Sequence, residues 1–185
     1  MVEVRTLDLP GVLEIVTPKF GDARGFFSET WNASRWAEAG IALDFVQDNH
    51  SYSAPAGVLR GLHFQTPPFA QDKLVRVMRG AIFDVAVDIR AGSPTFRRWA
   101  GATISAQKWN QLLIPKGFAH GFLTLEPDTE VVYKVTAPYS AAHDRAIRYD
   151  DPAIGIDWPL AGLELTLSDK DKGAPLLSET ETGFQ

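Results

Sequence analysis

Leu74-Val-Arg-Val-Met-Arg-Gly-Ala-Ile-Phe-Asp-Val-Ala-Val-Asp-Ile89 is the stretch that decides the fold class. From Leu74 to Arg79, and again from Ile82 to Ile89, alternate side chains of an extended chain point to opposite sides. In the second run Phe83, Val85, Val87 and Ile89 share one face, and Ile82, Asp84, Ala86 and Asp88 share the other. Gly80 between the runs marks a turn. Further short apolar runs follow at Leu112–Ile114, Gly121–Leu125, Glu130–Thr136 and Leu163–Leu167. Short strands at fairly even spacing, divided by glycine and proline, predict an all-β sandwich or barrel. The 15 glycines and 12 prolines suit many tight turns. One short helix is predicted from Asn32 to Gly40, with Asn32 as its cap and Gly40 as its stop. Beyond about Asp171 the pattern weakens, and the tail reads either as a docking arm or as a disordered end.

The chain has 185 residues, 45% of them hydrophobic, which suits one domain over residues 1–185 with a sizeable core. The N-terminal strand segment and the C-terminal tail are its peripheral elements. The net charge is −5 and no basic block stands out, so nucleic acid is disfavoured as a partner. A few converging cations still suffice to bind an anionic ligand. The chain has no cysteine, which removes disulfides, zinc–thiolate sites and cysteine nucleophiles. Met1–Pro10 shows no signal-peptide pattern, and no apolar run approaches the roughly 18 residues a membrane span requires. A soluble, cytoplasmic protein without a membrane partner is expected.

Four segments are unusually polar for their surroundings. Asp22-Ala-Arg-Gly-Phe-Phe-Ser-Glu29 reads either as a solvated turn or as a ligand edge, with Arg24 for an anion and Phe27 for a flat ring. Gln47-Asp-Asn-His-Ser-Tyr-Ser53 reads either as loop polar groups or as donors and acceptors for a heterocycle or sugar. Val58-Leu-Arg-Gly-Leu-His-Phe-Gln65, followed by Lys73, sets Arg60 and His63 in an apolar frame. A lone histidine there is most often a satisfied core residue, but two cations entering a barrel need an anionic ligand or a carboxylate. In Ile114-Pro-Lys-Gly-Phe-Ala-His-Gly-Phe122 the Pro-x-Gly sets a turn and His120 begins a strand, ahead of Tyr133 on another.

The last two segments resemble the two halves of the cupin pattern, which implies a cupin-type jelly-roll barrel with a few short helices. Metal-dependent cupins carry two histidines and a glutamate in the first half. Here position 65 is Gln65 and residues 66–80 contain no glutamate, so no metal is expected. Asp22-x-Arg24-Gly25-x-Phe27-x-Glu29, Gln47-Asp48-Asn49, Arg60-Gly-Leu-His-Phe-Gln65 and Pro115-x-Gly-x-Ala-His-Gly-Phe122 occur in this order. The likeness continues through Tyr133-Lys134, Asp151-Pro152 and Ile156-Asp-Trp-Pro159 to Ser168–Asp171. Together these segments resemble the signature of dTDP-4-dehydrorhamnose 3,5-epimerases.

That resemblance implies a homodimeric, cofactor-free isomerase acting on a dTDP-sugar, in dTDP-L-rhamnose biosynthesis. The family converts dTDP-4-dehydro-6-deoxy-D-glucose to dTDP-4-dehydro-L-rhamnose. Carbons 3 and 5 flank a ketone, so a base can remove their protons if the enolate is stabilised; no redox step arises, and the sequence holds no Gly-x-Gly-x-x-Gly. By resemblance His63 is the base, Tyr133 the acid and Lys73 the cation at the enolate oxygen. A carboxylate that orients His63 maps onto Asp171 after Lys170, with Asp169 as a neighbouring alternative. Arg60 and His120 line the sugar and phosphate site, while Arg24, Glu29, Gln47 and Asn49 grip the nucleotide and Asp48 and Lys170 join the substrate contacts. Asp144 stands where the family often has a glutamate. Tyr139 stands where related enzymes carry an aromatic that influences whether one or both carbons invert. Asp84, read from strand pattern alone, balances buried positive charge. The rival readings are a single-site epimerase of another dTDP-deoxysugar pathway, a metal-dependent cupin oxygenase or isomerase, and a sugar-binding barrel without activity.

Overall fold

The computed structural model describes residues 2–185. Its elements in chain order are β1 (Glu3–Thr6), β2 (Leu13–Val16), β3 (Phe20–Asp22), β4 (Gly25–Phe27), α1 (Ala33–Glu38), β5 (Gln47–Ser53), β6 (Leu59–Gln65), β7 (Lys73–Arg79) and β8 (Ala81–Asp88). Then come β9 (Trp99–Ser105), β10 (Asn110–Ile114), β11 (Phe118–Thr124), β12 (Thr129–Val135), β13 (Asp144–Ala146) and α2 (Asp169–Lys172). One sheet has the order β1-β2-β10-β7-β12-β5, the second β13-β6-β11-β8-β9, and β3-β4 form a separate hairpin. From β5 onward the chain passes repeatedly between the two large sheets. All named strand pairings are antiparallel, so the architecture is the jelly roll expected from the cupin likeness.

The alternation in β8 decides what faces what. Ile82 and Ala86 enter the core between the sheets, with Val75, Val77, Leu112, Ile114, Phe122 and Val131. Val85, Val87 and Ile89 face the outer side of the five-stranded sheet, where Phe64, Leu123, Ile147, Trp158 and Leu177 cover them. The predicted helix forms as α1, with the Asn32 side chain accepting from Arg35 N–H and Gly40 at φ +85°. Among the described residues no helix is long and apolar enough to cross a membrane.

Three expectations need correction or completion. Gln47–Ser53 is a strand, not a loop: as β5 it pairs with β12 from Gln47↔Val135 to Ser53↔Thr129, and its polar side chains serve an edge position. Leu163–Leu167 is not a strand. It touches the sheet through one parallel bridge, Val58↔Thr166, while Leu163, Leu165 and Leu167 pack on the outer apolar cluster. Its alternation reflects packing, and its pairing stops at Leu59 because Ile147 and β13 take the edge of β6 beyond. The tail is a docked arm: Leu177 is buried and Phe184 lies against the same cluster.

The crossing of β6 and β11 positions the site. His120 pairs with His63 and Phe122 with Arg60, so two residues of β6 oppose the single Gly121. On an unbroken strand Arg60 and His63, three apart, would point to opposite faces. The bulge turns both toward the interior. It requires a very close approach, because a Cβ on Gly61 would lie 2.5 Å from Gly121 Cα, and Gly61 holds φ +136°. Gly61→Ala is therefore expected to lower stability by about 3 kcal/mol, a fall in thermal midpoint of roughly 6–12 °C. A midpoint within about 2 °C of wild type would show that the crossing tolerates a side chain.

Candidate active site

Inside the barrel, between β5, β6, β7, β11 and β12, lies a cleft of about 600 Å³. Arg60, His63, Lys73, His120, Tyr133 and Asp171 line it. A second space of about 260 Å³ joins it through His63, Lys73 and Tyr133 and adds Gln47, Asn49, Tyr139, Asp144 and Lys170. Sequence-distant polar groups thus converge in one apolar frame, the usual form of a small-molecule site.

His63 Nε2 donates to Asp171 Oδ1 at 2.6 Å, which leaves the other ring nitrogen free to accept a proton. Asp171 is buried, and Ser168 at the N-cap of α2 clamps it: Ser168 Oγ donates to Asp171 Oδ2 at 2.8 Å and accepts from Asp171 N–H at 3.2 Å. Burial alone pushes the Asp171 carboxyl up. The hydrogen bonds from His63 and Ser168 outweigh it and hold the group below the ordinary carboxylate value. Asp171 is thereby an anion at neutral pH. Asp169 is the wrong alternative, since its side chain is fully exposed and faces Lys172. The Ser-x-x-Asp spacing of Ser168 and Asp171 is the sequence signal that separates the two, because the third helical position turns its carboxylate back to the cap.

A second buried pair stands opposite. His120 Nε2 donates to Asp84 Oδ1 at 2.5 Å, and both residues are buried. Burial pushes the His120 imidazole below its ordinary value, against the pull of Asp84, so it is neutral at neutral pH. Lys73 lies beside these groups with Nζ donating to the His63 carbonyl at 3.4 Å. Burial lowers its ammonium to about 8, although the negative charges of Asp144 and Asp84 support the cation. Asp84 does therefore balance buried positive charge, as its place on β8 suggested. Tyr133 on β12 is pushed above the ordinary phenol value by burial, against the opposing charge of Arg60, and so holds its proton at neutral pH.

The remaining expected residues divide. Arg60 enters the cleft and donates to the Tyr52 carbonyl at 3.1 Å and to Ser53 Oγ at 3.3 Å. Gln47 and Asn49, joined side chain to side chain at 2.8 Å, stand on the inner face of β5. Asp144 and Lys170 pair at the rim at 2.5 Å, with Tyr139 Oη 3.4 Å from the same carboxylate. Asp48 is not in the cleft. Alternation on β5 sends it to the outer face, where it accepts from Lys134 at 2.8 Å. Arg24 and Glu29 are not there either: Arg24 pairs with Asp22 at the exposed β3–β4 hairpin, and Glu29 with Arg35. Ser51 and Ser53, inside the polar segment 47–53, and Ser168, inside the segment 168–171, were not singled out individually. They line the cleft, and the Ser51 hydroxyl is buried with no protein partner among the described residues.

The donor set does not suit a transition metal. His63 and His120 each commit Nε2 to a carboxylate, and Gln65 donates its amide to the Phe69 and Pro138 carbonyls. What the arrangement can do is hold a base, a protonated phenol and an ammonium around one bound carbonyl compound.

Residues 6–179 match the family described as dTDP-4-dehydrorhamnose 3,5-epimerase. The dTDP-4-dehydrorhamnose 3,5-epimerase of Sinorhizobium fredii is 53% identical over 182 residues, 98% of this chain and 92% of that protein. A crystal structure of the Bacillus anthracis enzyme of that name, with TDP and PPi bound, superposes with a TM-score of 0.91 at 49% identity, over 95% of this chain and 99% of that one. The dTDP-6-deoxy-D-glucose-3,5-epimerase of Legionella pneumophila, in complex with dTDP-4-keto-L-rhamnose, superposes with a TM-score of 0.93 at 44% identity, over 98% and 95% of the two chains. With its fold and nearly its whole length shared with these proteins, the chain belongs to the dTDP-4-dehydrorhamnose 3,5-epimerase family.

Proposed function

We propose that this protein inverts carbons 3 and 5 of dTDP-4-dehydro-6-deoxy-D-glucose to give dTDP-4-dehydro-L-rhamnose, the epimerisation of dTDP-L-rhamnose biosynthesis. The observation that carries the reading is the His63–Asp171 pair set in one cleft with Lys73 and Tyr133. The ketone at carbon 4 makes the neighbouring protons removable. His63 takes the proton, and the C–H electron pair moves into the enolate, whose negative charge gathers on the carbon 4 oxygen. The Lys73 ammonium stabilises that oxygen, in a site where fixed charge acts strongly. Tyr133 returns a proton to the opposite face, and the imidazolium and phenolate then reset by exchange with water. Repetition at the second carbon completes the conversion, with no electron gained or lost.

Arg60, His120, Gln47 and Asn49 serve substrate binding in this account, with Asp144 and Lys170 at the rim. Arg24 and Glu29 find a role if the protein works as a homodimer. The β3–β4 hairpin exposes Phe20, Phe26 and Phe27 around Arg24, an apolar patch that fits use in a second subunit's site. The strands β1 and β5 at the sheet margins offer pairing edges for such an assembly. As an enzyme of nucleotide-sugar synthesis, the protein would work in the cytoplasm.

Reduction of the product at carbon 4, followed by sugar analysis, is expected to return L-rhamnose; sugars inverted at one carbon only would replace this account with the single-site epimerase. His63→Ala is expected to lower product formation about 10³-fold, and activity within about tenfold of wild type would remove His63 as the base. Tyr133→Phe should still release substrate protons to solvent but fail to deliver the inverted product, whereas an unchanged product would remove Tyr133 from the mechanism. The Lys73 cation disappears as pH rises through about 8, so kcat/KM is expected to fall above that pH. Lys73→Arg, which stays charged, should abolish that alkaline limb; a limb unmoved by the substitution would assign it elsewhere.

A further inference from the structure

The members of the His63–Asp171 pair stand on unlike supports. His63 lies on β6, paired with β11 on one side and β13 on the other. Asp171 lies on α2, only four residues long. A helix that short has no stability of its own and depends on tethers. Upstream, Leu59 N–H donates to the Thr166 carbonyl at 3.0 Å, and Thr166 N–H to the Gly57 carbonyl at 2.9 Å. Downstream, Arg148 N–H donates to the Pro175 carbonyl at 2.9 Å. The buried carboxylate of Asp151 accepts from Leu177 N–H at 2.7 Å and from Ala153 N–H at 2.8 Å. The Leu177 side chain is buried in the cluster that also holds Leu62 and Phe64, the two neighbours of His63 in the chain. Farther along, the Phe184 ring lies 6.5 Å from that of Phe64, and the Phe184 carbonyl accepts from Ala91 N–H at 3.2 Å.

The geometry points to Asp151 and Leu177 as positioning residues: through them residues 174–185 form a strap that holds α2 against the back of β6 and so sets the Asp171–His63 hydrogen bond. The inference rests on the reading of His63 as the base. Both halves of the pair are registered to one packed cluster, His63 through its neighbours on β6 and Asp171 through Leu177. Packed clusters resist small displacement. A misplacement of about 1 Å far from the chemistry can slow a reaction by about 10²-fold. Neither Asp151 nor Leu177 lines the cleft, and Gln47 and Asn49, the residues assigned to the nucleotide, stand on β5 apart from the strap, so loosening it spares dTDP binding.

The test places Leu177→Ala and Asp151→Ala in the wild-type chain and in an Asp171→Asn chain. Two quantities are read: solvent deuterium entering dTDP-4-dehydro-6-deoxy-D-glucose, and dTDP binding by calorimetry. In the wild-type background each substitution is expected to slow deuterium entry by about 10-fold or more, with the dTDP Kd within about 2-fold. In the Asp171→Asn background the same substitution should cost less than about 2-fold further, because the interaction it serves is already gone. Leu177→Met, which keeps the volume, should restore wild-type exchange. Equal slowing in both backgrounds, or a loss of dTDP affinity in step with the loss of exchange, would overturn the proposal. If Asp151→Ala does not fold, the Leu177 pair of variants decides alone. A His63→Ala protein that still exchanged the substrate protons would overturn the base assignment instead, which is a separate signature.

Discussion

The active site depends on one backbone constraint, the close crossing of β6 and β11 at Gly61 and Gly121. Two regular strands would send Arg60 and His63 to opposite faces, one into the cleft and one into the apolar cover behind the sheet. The bulge brings both inward and sets His63 directly across from His120. Only glycine allows backbones this near, so the cost of two flexible residues in mid-strand is offset by the placement of Arg60 and His63 in one site.

Burying those groups creates an electrostatic problem that the rest of the barrel answers. Charge leaves water at a cost of several kcal/mol unless a partner or ligand compensates it. The imidazole N–H groups of His63 and His120 donate to Asp171 and Asp84, and Asp84 and Asp144 both support the Lys73 cation. The support is incomplete for Lys73, whose ammonium is lowered to about 8. In the proposed reaction a developing enolate oxygen would supply the missing negative charge, so the interaction would strengthen as the reaction proceeds. That is the differential binding by which a rate is raised.

The barrel was legible because β7, β8 and β12 are short runs rich in apolar and β-branched residues, most of them buried along β7 and β8. The polar segment 47–53 was ambiguous because β5 is an edge strand, where hydrophilic side chains satisfy a sheet as well as a loop. The same ambiguity hid the orientation of Asp48: a loop has no alternating faces, whereas β5 sends Asp48 outward beside inward Gln47 and Asn49. Leu163–Leu167 misled in the opposite sense, since leucines at every second position pack against a sheet without joining it. His63, Lys73, Tyr133 and Asp171 were named from a family likeness, and geometry alone separated Asp171 from Asp169. Arg24 and Glu29 fall outside the chain's own cleft, paired with Asp22 and Arg35, and no local pattern separates such a solvated turn from a ligand edge.

The central claim is that His63, oriented by Asp171, removes the protons next to the substrate ketone. Proton NMR of dTDP-4-dehydro-6-deoxy-D-glucose in deuterated water tests it most directly, with wild-type and His63→Ala proteins compared side by side. The account predicts loss of both the carbon 3 and carbon 5 proton signals with the wild type and their persistence with His63→Ala. Retention of both signals with the wild type, or their loss with His63→Ala, would contradict it.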